Sequence, residues 1–544
     1  MLDRIHPSES LSTANPGKYD LLFIGGGLSG TLTLIQVLKE LRSAGAAVKD
    51  LRSGHGWRIA VANTSGDFGG GLPYGRSVHP MLLLNNDIAT MNICGFQHWL
   101  ADNRDLWLGM LRAQPTAGIK GWLRFNQAAL CSAEYEAERY LSLFLPRCVF
   151  GLFIADFLAE ALTEARDLPA RVDLLQDEVV SLARSGKGFR IGFRNGAALD
   201  AGTVVLALGS LPPDPAPDLD GTPGYIHNMN PPSGAQLQSV LQTLSKEGGK
   251  SGRIAIIGSH ASAMEAIYTI ALEHSLDRII SKVVVISPSG RLPDAHSSGI
   301  AAPFEPQTLH GLIGARGISA RQVITAALQD AAQARQLGYS SIDYSPPLCS
   351  VFRRVFESLS ANEKRRFVEQ FGMQFTALNR QTPPEYAAAA RGLMREGRLR
   401  LIAAEVTAIS PPHGAASGFT VAFKKANGVS GQLCAAAVVN CRGSGTLAGA
   451  ENPLLREILR PDSRIARSNC CGRGIAVSED LEASPRLFVA GPLLAGHSCG
   501  SNHLWNLESA QRLDWLARRL APIIVARLTS SSPSVPRTEG VCGF

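Results

Sequence analysis

The sequence predicts an α/β protein with two Rossmann-like units and a helical insertion, and three observations carry that prediction. An apolar run of strand length at 19–24 (YDLLFI) leads straight into Gly25-Gly26-Gly27-Leu28-Ser29-Gly30, followed by Leu32, Ile35, Leu38 and Leu41 at helical spacing. The same succession returns at 253–257 (RIAII), with Gly258-Ser259-His260-Ala261-Ser262-Ala263 and an apolar helix through Ile270. Further apolar strands close on glycine at 203–209 (TVVLALG), 435–445 and 486–491.

Taken along the chain, residues 1–18 mix charge, Pro and Ser without an apolar stretch, and read as a loose leader rather than a signal peptide. The first glycine run fits G-x-G-x-x-G in its proper place between strand and helix. Gly25 permits the tight turn, Gly27 lets backbone approach a pyrophosphate, and Gly30 lets helix pack on strand. The helix start offers unpaired N–H groups to the anion. A second strand at 58–62 (RIAVA) comes late, after an apparent insertion at 42–56, and ends on Asn63 where the fingerprint has a carboxylate. Two readings of Asn63 stand: its amide hydrogen-bonds a ribose hydroxyl, or it starts a turn. A second glycine-rich run (GDFGGGLPYG) occupies 66–75. The apolar stretch 140–162 is interrupted by Pro146, Arg147 and Asp156, so it is not expected to span a membrane.

In the second unit His260 stands where the second glycine belongs, which puts close approach of backbone to a pyrophosphate in doubt. Either the imidazole donates to a phosphate or dinucleotide binding has weakened here. After the strand 282–286 comes Ser287-Pro288-Ser289-Gly290-Arg291, and Arg291 reads either as a partner for a 2′-phosphate or as a solvated surface residue. Residues 300–400 carry helical periodicity, a strand pair follows near 399–409 and 419–423, and the last helix runs over 507–520. The ten cysteines show neither C-x-x-C nor metal-ligand spacing, so no metal site is expected. Cys470-Cys471 reads as a pair of small buried residues rather than a strained adjacent disulfide.

Composition excludes several function classes. With 544 residues, 45% hydrophobic and 18% charged, the chain can bury several cores and is neither disordered nor fibrous. A net charge of +7 without a basic stripe argues against nucleic acid as a partner. The expectation is a cytoplasmic protein that neither crosses nor binds a membrane. The 54 glycines exceed the usual share and gather at strand ends rather than in linkers.

The motifs GGGLSG, GGGLPYG with HPMLLLNNDIATMNI, FLPRCVFGLFIADFLAEAL, VVLALGSLPP, IGSHASA, LSANEKRRF through RQTPPEY, VVNCRGSG and LFVAGPLL occur in order over most of 19–521. Taken together the chain resembles a bacterial family of FAD/NAD(P)-binding flavoproteins related to flavin-dependent N-hydroxylating amine monooxygenases. The resemblance implies a discontinuous FAD domain: a first segment at 19–245, an NAD(P)H-binding domain at 251–430 with its helical insertion about 300–400, and a return segment at 431–525. Residues 1–18 and 528–544 are then disordered tails. It also implies FAD contacts at Gly25, Gly27, Gly30, Asn63, Gly209 and Gly491, with Asn85 either near the isoalloxazine or a bound substrate, or in an Asx-type turn. NADPH contacts fall at Gly258, Ser259, Ser262, Ala263 and Arg291, with His260 in the place of the turn's second glycine.

The function this implies is an FAD-dependent, NADPH-using monooxygenase. Reduced flavin activates O2 at C4a and passes an oxygen atom to a small nucleophilic substrate, an amine nitrogen being the expected target. Such chemistry needs positioning and a dry pocket more than an acid–base dyad, and the sequence exposes no catalytic residue. His497 and His503 are candidates for proton handling or plain structural residues. An oxidase or dehydrogenase without oxygen insertion is the alternative that His260 keeps open, and a non-catalytic flavin sensor is a third. A disulfide reductase is disfavoured by the missing C-x-x-C.

Overall fold

The computed structural model describes residues 18–49, 56–114, 116–131, 138–229, 237, 240, 252–272, 280–412, 418–461, 463, 465–468, 472–499, 502–505 and 507–529. Both expected tails fall almost wholly outside these residues, as does Cys470-Cys471.

The first sheet starts with β1 (Lys18–Ile24), whose Leu21, Leu22, Phe23 and Ile24 are all buried, the near-continuous apolar run of a parallel strand covered on both faces. It is followed by helix α1 (Leu28–Lys49) and by β2 (Trp57–Asn63), parallel to β1. Short helices at Phe96–Asp102, Arg104–Arg112 and Ala117–Phe125 precede the long α2 (Arg147–Glu164). The chain then enters β3 (Ala170–Gln176) outside β2, makes the hairpin β4 (Val179–Ser185) and β5 (Gly188–Phe193), and returns through β6 (Ala198–Leu206) on the far side of β1.

The second sheet is wholly parallel. Its strands are β7 (Tyr225–Ile226), β8 (Gly252–Ile257), β9 (Ile280–Ser287), β10 (Leu399–Ala403) and, later, β14 (Ala437–Asn440), in the spatial order β10-β9-β8-β14-β7. Helix α3 (Ala261–Leu272) follows β8. Between β9 and β10 lie α4 (Ala320–Gln336), α5 (Ser341–Glu357), α6 (Ala361–Gln370), α7 (Gly372–Ala377) and α8 (Pro384–Arg395), the last packing on α3. Capping boxes, Ser319 with Gln322 and Ser340 with Asp343, start α4 and α5. The insertion has its own core, Val323, Leu348, Phe352, Phe356 and Phe367, into which Trp505 of the later chain is also packed. An antiparallel three-stranded sheet, β11 (Glu405–Ser410), β12 (Phe419–Lys424) and β13 (Ser430–Ala435), lays Phe419 and Val421 over Ala255, Ile257 and Val284 of the second sheet.

The chain then comes back to the first sheet. β15 (Glu482–Ser484) and β16 (Leu487–Val489) extend it beyond β6, giving the path β15-β16-β6-β1-β2-β3, and α9 (Ala510–Thr529) packs along α1.

Three boundaries differ from the sequence reading. The strand near 435–440, assigned there to the return segment at 431–525, belongs to the second sheet as β14. Its residues are all buried, and it pairs in parallel with β8 from Ala437 against Ile254 to Asn440 against Ile257. A short apolar strand ending in glycine satisfies either sheet, and only its pairing partner distinguishes them. Likewise β7, within the expected first segment 19–245, pairs with β14 at the edge of the second sheet. At the C-terminus α9 continues to Thr529, so residues 528 and 529 are helical rather than tail.

Candidate active site

The first glycine turn is built by two unavoidable close approaches. Gly25 adopts φ +109° and donates its N–H to Ala62 O at 2.8 Å, and a Cβ on it would lie 2.2 Å from Ala207 O. A Cβ on Gly30 would lie 2.1 Å from Gly25 O. Gly27 differs, because its Cβ would meet the backbone of Gly71, with Cα at 3.3 Å. The two glycine runs therefore face each other across bare backbone, tied by the Gly69 N–H donating to Gly26 O at 2.9 Å. From the return segment Gly491, at φ +77°, sits so close to α1 that a Cβ would be 2.3 Å from Ser29 Oγ. Gly209, at φ +76°, borders open space at the end of β6. Asn63 is engaged by the protein itself. Its Oδ1 accepts from the Gly26 N–H at 3.2 Å, and its Nδ2 donates to Ser65 O and Asp67 O, each at 3.0 Å. Of the two readings, the turn-building one describes this amide.

The second turn repeats the first almost atom for atom. Gly258 has φ +109°, donates to Ile286 O at 2.9 Å, and would place a Cβ 2.3 Å from Cys441 O. Cys441 after β14 thus occupies the place of Ala207 after β6. At the position of Gly30 stands the fully buried Ala263, which adds a methyl group. Ser259 is buried, its Oγ 3.5 Å from Ser289 Oγ, while Ser262 is half-buried at the start of α3 and Arg291 is exposed beyond the end of β9. His260 O accepts from the Met264 N–H in the first turn of α3, and its Nδ1 is buried with no partner among the described residues. Burial first, and the Arg380 guanidinium second, push its pKa down to about 4, so the ring is neutral near pH 7.

A cavity of about 580 Å³ lies where the two domains and the insertion meet. Leu84, Asn85 and Asn86 line it from the first segment, Ala261 from the start of α3, Phe352 and Asn379 from the insertion, and Trp505 and Arg512 from the return. Asn85 is half-buried there. Trp505 is fixed by its Nε1–H donating to Thr376 Oγ1 at 2.7 Å. Asn379 donates Nδ2 to Cys349 Sγ at 3.1 Å and leaves Oδ1 buried without a partner among the described residues. At one wall Arg147 of α2 forms a buried ion pair with Glu265 of α3 and donates Nε to Leu83 O at 3.0 Å. The neighbouring Leu83 N–H donates to the Tyr386 hydroxyl at 2.7 Å, and burial holds that hydroxyl neutral by raising its pKa well above the ordinary value.

These residues fit a dinucleotide at the first turn: a lane of bare backbone between Gly27 and Gly71, a positive-φ turn that no side chain could adopt, and a helix start beside it. Residues 22–211 match a family model described as FAD-NAD(P)-binding. Uncharacterised proteins of Mycobacterium bovis and Mycobacterium tuberculosis are each 28% identical over 535 residues, covering 95% of this chain and 97% of their own. The reduced form of an ornithine hydroxylase from Pseudomonas aeruginosa superposes with a TM-score of 0.53 at 14% identity, over 94% of this chain and 100% of that one. An FAD-bound cadaverine monooxygenase of desferrioxamine biosynthesis from Erwinia amylovora gives 0.53 at 12% identity, over 96% and 100%. The chain has the two-domain FAD/NAD(P)-binding flavoprotein fold. Among the described residues no helix is long and apolar enough to cross a membrane.

Sequence reasoning located the glycines but missed Arg380, Arg512, Asn379 and the Arg147–Glu265 pair. The pair left a signal: a single arginine opening the apolar α2 and a single glutamate inside the apolar α3 each need a buried partner. For Arg380 and Arg512, far apart in sequence and in polar surroundings, no local pattern exists.

Proposed function

We propose that the protein is an FAD-dependent, NADPH-using monooxygenase acting on a small nucleophilic substrate, an amine nitrogen being the expected target, in the cytoplasm. The observation that carries this reading is the cavity. It lies between Leu84, Asn85 and Asn86 of the first segment and the start of α3, where a flavin and a nicotinamide ring would both reach. FAD bound there supplies hydride acceptance and O2 activation. The chain's own groups do the rest. Gly27 admits the FAD pyrophosphate at the turn that Gly25 and Gly30 shape, Gly209 and Gly491 border the same cofactor, and Asn85 offers its amide to the flavin or the substrate. Gly258, Ser259, Ser262 and Ala263 form the NADPH turn, with Arg291 placed for a 2′-phosphate. Phe352, Phe375 and Trp505 keep water from the reacting atoms.

A second reading, an oxidase or dehydrogenase reduced by its own substrate, is favoured by His260, whose side chain fills the place where backbone should approach the pyrophosphate. One sequence of measurements separates the two. Purified protein is expected to be yellow, to be reduced anaerobically by NADPH, and to return to the oxidised spectrum on mixing with O2 through a detectable absorbance intermediate. Failure of NADPH to reduce it, with single-step reoxidation, supports the oxidase. Colourless protein that takes up no added FAD ends both.

A further inference from the structure

The cavity is cationic. Four arginines, Arg147, Arg353, Arg380 and Arg512, line it against two glutamates, Glu357 and Glu508. Arg147 is neutralised by Glu265, and Glu508 accepts from Ser444 Oγ at 2.9 Å. No described residue forms a hydrogen bond or ion pair with the Arg380 guanidinium, on which Glu508 acts only through space. Burial lowers the pKa of both Arg380 and Arg512, and Arg473 adds like charge beside Arg380. The Arg380 guanidinium, drawn out of water with no such partner among the described residues, is costly unless an anion completes it, and its fork suits a carboxylate. Arg353 and Arg512 also act together on the Cys349 thiol, which Asn379 holds, so the charges converge on one region. Beside them Phe352 and Phe375 stack at 4.0 Å between centroids, with Trp505 edge-on to Phe352 at 6.2 Å, forming an apolar wall. The orphaned Asn379 Oδ1 is an acceptor awaiting an N–H or O–H donor.

We propose that the substrate of this cavity is an acid, in which a carboxylate or equivalent anionic oxygen group is received by Arg380 and Arg512 while a ring-sized apolar body lies against Phe352, Phe375 and Trp505. This rests on reading the cavity as the place of reaction. It separates the chain from enzymes for alkyl diamines, whose ammonium groups these arginines repel. The N–H or O–H of the same molecule docks on Asn379. The rival source of the anion is the dinucleotide, since Arg380 also acts on His260 at the second turn.

Calorimetric titration of the FAD-loaded protein with benzoate, benzylamine, cadaverine and NADP+ tests this without needing turnover. Benzoate is expected to bind at least about tenfold more tightly than either amine, as a charge-assisted hydrogen bond provides. Arg380→Met and Arg512→Met should each weaken benzoate at least about tenfold, with Arg380→Lys restoring part of the loss, while NADP+ affinity stays within about twofold. No benzoate binding, or an amine binding as tightly, overturns the proposal. So does a loss of NADP+ binding with benzoate unchanged, which would give the anion site to the dinucleotide. Failure of the monooxygenase reading shows separately, as absent FAD or absent reduction by NADPH.

Discussion

Gly25, Gly27 and Gly30 look alike in the motif and differ in what surrounds them. At Gly30 an added methyl would have to displace the carbonyl of Gly25, a backbone atom that the turn itself fixes. At Gly27 the neighbour is the bare Gly71 across the lane where a pyrophosphate would run. The first is a folding constraint and the second a binding one. Gly30→Ala is therefore expected to lose about 2 kcal/mol or more of stability, with a matching fall in melting temperature. Gly27→Leu should fold with an unchanged far-ultraviolet spectrum and purify without flavin. A Gly27→Leu protein holding a full complement of FAD would remove the first turn from the cofactor site. Asn63 marks the limit of the motif at this scale. The sequence shows an amide at a carboxylate's place, but not that Gly26, Ser65 and Asp67 already engage it.

At the scale of elements, the two strand–turn–helix units share their turn geometry and part at the third residue of the turn. His260 opens α3 with a neutral ring held down by burial and by Arg380, and its pKa of about 4 lies below the 6.5 of an unfolded chain. As pH falls, the unfolded chain takes up that proton first, so the stability tied to His260 is complete above pH 6.5 and declines towards pH 4. Melting temperature followed across this window should fall less steeply for His260→Gln than for the natural chain, and parallel curves would show that the ring is not held neutral. The elements themselves were legible where they are long: β1, β2, β6, β8 and β9 are continuous apolar runs because both faces of their sheets are covered, for β8 and β9 by helices on one face and by the three-stranded sheet on the other. The two-residue β7 and three-residue β15 carry too few residues for any period to register. β14 was visible as a strand and misassigned as to sheet, since register is a property of the partner and not of the run.

On the scale of the whole molecule, the two dinucleotide units are not separate bodies on a hinge. Leu32, Trp107 and Phe150 from the first segment share one buried cluster with Ile256, Ile267 and Val439 from the second sheet and its helix. The Arg147–Glu265 pair crosses the same boundary, and Leu83 meets both Arg147 and Tyr386. Each charge was readable alone as an oddity in an apolar helix, but nothing in either helix names the other. A buried pair of this kind adds little net stability while intact, because desolvating both ions offsets their attraction; losing one partner strands the other. Arg147→Met should then cost about 3–5 kcal/mol by leaving the Glu265 carboxylate unpaired in the interior, and Glu265→Leu should cost similarly. The double variant should recover most of the loss, since it replaces two buried ions by apolar side chains among apolar neighbours. Scanning calorimetry of the four proteins checks both parts: one transition in each, because the shared core couples the domains, and a melting temperature for the double variant well above either single. Two resolved transitions in the natural chain, or a double variant no better than the singles, would mean that the domains are joined by their linkers rather than by this interior.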